Sequence, residues 1–298
     1  MGRRIFRIKE RGNYHMQVKS GDYVVRKSYR KDIVFRVKQI FRDENGGLSA
    51  VLKGVAIRLI ADAPLTDLIT LDPAETARIL EKEQGEEIQL LMKRHEGSDQ
   101  WRGGSRSFDY PGMVLHLDGD REYLNKCIEA YDKLGIPHAG LAVPEKDQPD
   151  AVTYYLEKYR PEILVVTGHD SLLKGSIDHQ NLDNYRSSFY FVEAVKKARQ
   201  YQPDRDALVI FAGACQSCYE SLLRAGANYA SSPKRVFIHI FDPVLIIERV
   251  AYTSIKDVVT AEDAVEGTVT GSDGIGGIET RGCFRLGYPS VEGDSLRC

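Results

Sequence analysis

The chain has 298 residues, 42% hydrophobic and 28% charged, and a formal net charge of −2. That is the composition of a globular protein with room for one large core or two smaller ones, and the near balance of charge argues against a global field for nucleic acid. Five scattered cysteines in so long a chain do not form a disulfide framework; they fit a reducing compartment, where a conspicuous cysteine serves catalysis or binds metal.

The start, Met1 to Lys9, is basic and lacks the apolar core and cleavage site of a signal peptide. No apolar run approaches the roughly 18 residues of a spanning helix, so no membrane partner is expected and retention in a cytoplasm is. Residues 18–71 read as β structure: a turn followed by a strand within Val18 to Ser28, another strand over Ile33 to Ile40, a hairpin signal at Asn45-Gly46-Gly47, and further strand pattern from Leu48 to Ile60. Four or five short strands in that span predict a small β-barrel domain behind a basic tail. Such a barrel either props its neighbour or binds a partner. Arg26, Lys27, Arg30 and Lys31 are its nucleic-acid candidates, with a solvated basic face as the plainer reading.

Asp72-Pro73 opens a helix that continues to about Arg94. From Gly97 to Gly112 the periodicity is lost in a Gly/Ser/Arg-rich connector, which sets the expected organisation: tail and barrel over 1–71, helix and connector over 72–112, and an α/β domain over 113–298. In that last part strands are predicted at Met113 to Leu117, Ala139 to Val143, Ile163 to Thr167, Leu208 to Phe211 and Lys234 to Phe241. Helices are predicted between them, from Arg121 to Leu134, Ala151 to Arg160, Ser187 to Tyr201 and Ser217 to Gly226, with one more after Asp242-Pro243. Strands alternating with helices imply a mostly parallel sheet flanked by helices, with right-handed crossovers.

Two of those strands end alike. Ile163 to Thr167 stops at Gly168-His169-Asp170, and Leu208 to Phe211 stops at Ala212-Gly213-Ala214-Cys215. Ligands of open α/β sheets sit outside the carboxyl ends of the strands, so His169 and Cys215 are expected to face one crevice. A thiol attacks as thiolate, and an imidazole in reach can take its proton. Cys215 at a strand end just before a helix, with small residues ahead of it, is the candidate nucleophile, and His169 the candidate base. Asp118 and Asp120 end the first strand on the same edge, where they either shape substrate binding or cap the following helix. His116 and His239 fall inside predicted strands and read as core or surface histidines. Cys215 and Cys218 also make a CxxC pair, so a thiol-disulfide oxidoreductase is the alternative enzyme. A metal site would need two more ligands near that pair, and Cys283 and Cys298 lack the spacing, so neither metal nor cofactor is expected. A non-catalytic adaptor or nucleic-acid-binding barrel protein is the alternative without chemistry.

The apolar strand ending in His, the spacer of about 46 residues and the apolar strand ending in Ala-Cys resemble the signature of the caspase, legumain, gingipain and clostripain clan of cysteine peptidases. That clan has Gly directly after His, where this chain has Asp170. From Gly21 to Tyr29, through Arg58 to Asp62, to Gly168-His169-Asp170 and Phe211 to Ser217, the chain is more similar still to the YabG family of sporulation-specific proteases of endospore-forming bacteria. The resemblance implies a caspase-like fold and a cysteine endopeptidase with a Cys215–His169 dyad. It implies synthesis in the cytoplasm of the sporulating mother cell, association with the spore coat, and action on coat and cortex-associated proteins and on itself. Gly168, Asp170 and Ala214 then become the oxyanion and backbone candidates. Peptidases of the clan select one P1 side chain. Asp170, Asp178 and Asp183 are the carboxylates that would pair a basic one, their plainer reading being solvated loop acids. With a basic P1 residue, Arg106 in the connector is the candidate autoprocessing site.

Overall fold

The computed structural model describes residues 18–44, 46–82, 107–173, 175 and 178–289. The chain divides into two compact units, residues 1–89 and 90–298.

In the first unit β1 (Tyr23–Arg26), β2 (Val34–Arg42), β3 (Leu48–Gly54), β4 (Ile60–Pro64) and β5 (Leu68–Thr70) form one antiparallel sheet in the order β4-β3-β2-β1-β5. A register shift between Val37 and Gln39 bends β2 against β3. Alternate residues of these strands, among them Val24, Phe35, Val37, Ala50 and Leu52, make a small apolar core. The sheet is the part of the expected barrel that the structure bears out; no pairing joins β4 to β5 among the described residues. The helix after Asp72, α1, covers residues 73–82. Two of the basic candidates of this unit are engaged locally: Arg26 bridges Asp67 at 2.9 Å and lies over Tyr29, and Lys27 Nζ reaches the Thr66 carbonyl.

The second unit is built on a six-stranded sheet. Its members are β7 (Val114–Asp118), β8 (His138–Ala142), β9 (Ile163–Thr167), β10 (Val209–Ala212), β11 (Tyr229–Ser231) and β13 (Ile275–Gly277), in the order β13-β11-β10-β9-β7-β8. Only the β11–β13 pairing is antiparallel. Every residue of β7, β9 and β10 is buried, as continuous apolar runs covered on both faces should be. One face packs against α3 (Gln148–Tyr159), α4 (Ser188–Tyr201) and α5 (Tyr219–Ala225), with Leu115, Leu164, Val166 and Ile210 meeting Leu156, Phe191 and Leu222. Against the other lie α2 (Arg121–Leu134) and α6 (Asp242–Tyr252). Helix α2 starts on an Asp120 cap and ends at Gly135, whose φ of 65° closes the last turn.

Two expectations change. Residues 234–241 are not a strand, and the strand beside β10 is the three-residue β11 just before them. The Gly-rich tail supplies the edge strand β13, and its later part pairs β14 (Thr280–Arg281) with β12 (Val258–Val259) and β15 (Arg285–Gly287) with β6 (Phe108–Tyr110), so the end of the expected connector forms a strand. No described helix is long and apolar enough to cross a membrane.

Candidate active site

Parallel register aligns the ends of three neighbouring strands. Asp118 pairs with Thr167 across β7 and β9, and Val166 with Ala212 across β9 and β10. The three segments that leave this edge therefore start side by side: Gly119-Asp120, Gly168-His169-Asp170 and Gly213-Ala214-Cys215. The predicted pair sits at adjacent strand ends.

His169 is held on two sides. Its Nε2 lies 2.7 Å from Asp120 Oδ2, and its backbone N–H donates to Glu145 Oε1 at 2.7 Å. The Tyr123 ring is tilted against the imidazole, centroids 5.5 Å apart. The other imidazole nitrogen, Nδ1, is buried and has no hydrogen-bond partner among the described residues. Glu145 Oε1 would lie 2.2 Å from a Cβ on Gly119 and 2.4 Å from one on Gly168, so glycine at both positions gives this carboxylate its place.

Cys215 lies in a tight turn. Gly213, at φ +106°, makes the bend; an added Cβ would meet Ser231 Oγ at 2.4 Å, so side chain and conformation both exclude other residues. Gln216 follows at φ 59°, and its N–H donates to Ser232 Oγ and to the Val236 carbonyl. Cys215 is fully buried, and its Sγ accepts the N–H of Ile238 at 3.3 Å. This explains the missing strand: the backbone of 236–238 is spent on the cysteine turn and has no sheet ladder left to join. The helix begins only at Tyr219, with Cys218 at its cap position, so its N-terminus is nearer Cys218 than Cys215.

Asp170 ties this turn to the rest of the edge. It is 6% exposed; Oδ1 accepts the N–H groups of Ser171 (2.9 Å) and Ser187 (2.7 Å), and Oδ2 the hydroxyls of Ser217 (2.8 Å) and Ser188. Ser217 Oγ in turn accepts the Ala214 N–H at 2.9 Å, and Ser188 Oγ the Cys218 N–H at 2.8 Å. Burial raises the Asp170 pKa above the usual carboxylate range, against the pull of these donors. One carboxylate thus holds the His169 segment, the start of α4 and the Cys215 turn together.

The remaining predicted residues fall as follows. Asp178 and Asp183 are exposed on the lobe between Ser171 and Arg186, Asp178 capping its own turn through the Gln180 N–H. Arg235 spans from Tyr185 Oη (2.7 Å) to Glu220 (2.5 Å) and pins that lobe beside α5. Cys218 Sγ is directed to Ser221 Oγ and the His179 carbonyl, while Cys215 Sγ meets Ile238, so the two thiols engage different segments. Cys283 is buried, and burial pushes its thiol up to about 12. Arg106 and Cys298 lie outside the described residues. Among the described residues no three His, Cys, Asp or Glu side chains group as metal ligands. His116 and Asp118 are wholly buried in the sheet. Asp120 does cap α2, as one reading of the sequence had it, yet its second oxygen on His169 was not foreseen; nor was Glu145. The one available signal was the Asp118-Gly119-Asp120 run at a strand end.

A family model described as YabG peptidase U57 matches residues 19–289. The sporulation-specific protease YabG of Bacillus subtilis (strain 168) is 43% identical over 292 residues, covering 92% of this chain and 99% of that protein. Among solved structures, the receiver domain of the Francisella response regulator 1452 superposes with a TM-score of 0.31 at 16% identity, covering 48% of this chain and 97% of that one, too slight a likeness to assign a fold. With the model spanning nearly the whole chain and the relative matched end to end, the chain belongs to the YabG peptidase family.

Proposed function

We propose that this chain is a sporulation cysteine endopeptidase with Cys215 as nucleophile and His169 as its acid–base partner, on a caspase-like sheet. The observation that carries the reading is the placement of a thiol and an imidazole after adjacent parallel strands, with the imidazole anchored through one nitrogen and the other without a hydrogen-bond partner among the described residues. Cys215 Sγ adds to the scissile carbonyl carbon, His169 delivers a proton to the leaving amine, and water hydrolyses the resulting thioester. The oxyanion falls to backbone N–H groups of the Gly168–Asp170 and Ala214–Cys215 segments. The Ala214 N–H is bonded to Ser217 in the closed turn, and Cys215 is covered by 236–238, so substrate entry requires that cover to shift. The name of the curated relative supports action during sporulation. Substrates are then spore coat and cortex-associated proteins, and the chain itself at Arg106. For a basic P1 side chain Asp178 and Asp183 are the exposed carboxylates, whereas Asp170 already has four donors.

Single replacements test this, with intact-mass spectrometry of the chain and of an unfolded casein probe. Cys215→Ala and His169→Ala are each expected to abolish cleavage, and Cys218→Ala to leave most of it. Equal loss at both cysteines with indifference to His169 would instead favour thiol-disulfide exchange. Cleavage after Arg106 that persists in Cys215→Ala would end the autoprocessing assignment.

A further inference from the structure

The hydrogen bonds around His169 determine which nitrogen does its work. An ionised carboxylate only accepts, so the 2.7 Å contact to Asp120 Oδ2 puts a proton on Nε2, and in the neutral ring the lone pair is then on Nδ1. Nδ1 is the nitrogen that is buried and without a hydrogen-bond partner among the described residues.

Asp120 is itself fixed at three points. Its Oδ1 accepts the N–H groups of Glu122 (2.9 Å) and Tyr123 (3.1 Å) as the cap of α2, and its own N–H donates to Asp118 Oδ1 at 2.8 Å. Behind it runs a buried chain. Asp118 Oδ2 accepts the Thr167 hydroxyl at 2.9 Å, Thr167 Oγ1 lies 2.8 Å from His116 Nε2, and His116 Nδ1 lies 3.2 Å from Tyr131 Oη. His116, Asp118 and Thr167 have no exposed surface. Thr167 has one proton and gives it to Asp118, so its oxygen takes the His116 Nε2–H.

We propose that Asp120 is the positioning residue of His169: it holds the imidazole in the Nε2–H form and aims Nδ1 at the sulfur and the leaving amine, while Asp118 and Thr167 hold Asp120. The inference rests on the peptidase reading above and adds a third member to its pair. A carboxylate that holds a catalytic imidazole in one tautomer does not touch substrate, so its removal lowers kcat and leaves KM in place.

Asp120→Asn and Asp120→Ser separate this role from helix capping, because both side chains keep an oxygen able to cap α2. The probe is a peptide cleaved by the wild type, drawn from a proteome-derived peptide library. Expected are a fall in kcat of about 100-fold or more, KM within about twofold of wild type, and a thermal midpoint within about 3 °C, since a cap is retained. The 15N resonances of the His169 imidazole give a second readout: the neutral wild-type ring is expected to carry its proton on Nε2, and in Asp120→Asn to lose that preference. Wild-type kcat in both variants, or an unchanged tautomer in Asp120→Asn, overturns the proposal. If Cys215→Ala and His169→Ala are inert in the same assay while the Asp120 variants run normally, the positioning role alone fails; if Cys215→Ala still cleaves, the peptidase reading fails first.

Discussion

Replacing Asp170 by Asn tests whether one buried carboxylate holds the candidate site together. Asp170 accepts four hydrogen bonds, two at each oxygen. An amide oxygen can keep the pair from Ser171 and Ser187, but the amide nitrogen cannot accept the Ser188 and Ser217 protons. Hydrogen bonds to charged acceptors contribute about 1.5–3 kcal/mol each. Two are lost; relief of the buried charge, which outweighs the donors in setting the pKa, opposes that loss, and leaving the Ser188 and Ser217 hydroxyls without this acceptor gives a net destabilisation of about 1–3 kcal/mol. In a unit of this size each kcal/mol lowers the midpoint by about 2–4 °C, so calorimetry is expected to show a fall of roughly 2–12 °C. Turnover of the folded variant should also drop, because Ser217 and Ser188 hold the Ala214 and Cys218 N–H groups. The pH dependence has a sign. Burial raises the folded pKa of Asp170 above its unfolded value, so the group's contribution is fully present below the unfolded pKa and is lost as pH rises through the folded one. The gap between wild type and variant therefore narrows as pH rises through that window. A midpoint within 1 °C of wild type with normal turnover, or a gap that widens with pH, would refute the reasoning.

Two further substitutions probe the same edge. Gly213→Ala forces a Cβ to within 2.4 Å of Ser231 Oγ at φ +106°; about 2 kcal/mol or more should be lost in urea unfolding, and an unchanged midpoint would show that the turn can rearrange. Thr167→Val is nearly isosteric yet removes the hydroxyl between Asp118 and His116. It should cost roughly 1–3 kcal/mol and Thr167→Ser much less; equal loss in both would mean that methyl packing, not the hydroxyl, matters there.

Much of this edge was legible because its signals are local. The run from Ile163 to Thr167 is continuously apolar since β9 is covered on both faces, and Asp120 and Gly135 bracket α2 with ordinary cap chemistry. What stayed hidden depends on contacts distant in sequence. Lys234 to Phe241 has strand-like residues, but whether its backbone joins a ladder or wraps Cys215 is decided by a turn some twenty residues earlier. The strand that does form, Tyr229–Ser231, is too short to carry a periodic signal. Capping by Asp120 was one of two roles its position allowed; that its other oxygen meets His169 follows only once β7 and β9 are neighbours. Asp170 took the place of a glycine in the resembling clan, and its position changed meaning when three segments were found converging on it.

The most direct measurement of the central claim is covalent capture of the nucleophile. A peptidyl acyloxymethyl ketone built on a cleaved sequence, incubated with the full chain and mapped by peptide mass spectrometry, should place one adduct per chain on Cys215, with activity lost in proportion. His169→Ala should slow that labelling, and Cys218→Ala should not. An adduct confined to Cys218, or full cleavage activity in chains quantitatively labelled at Cys215, would contradict the account.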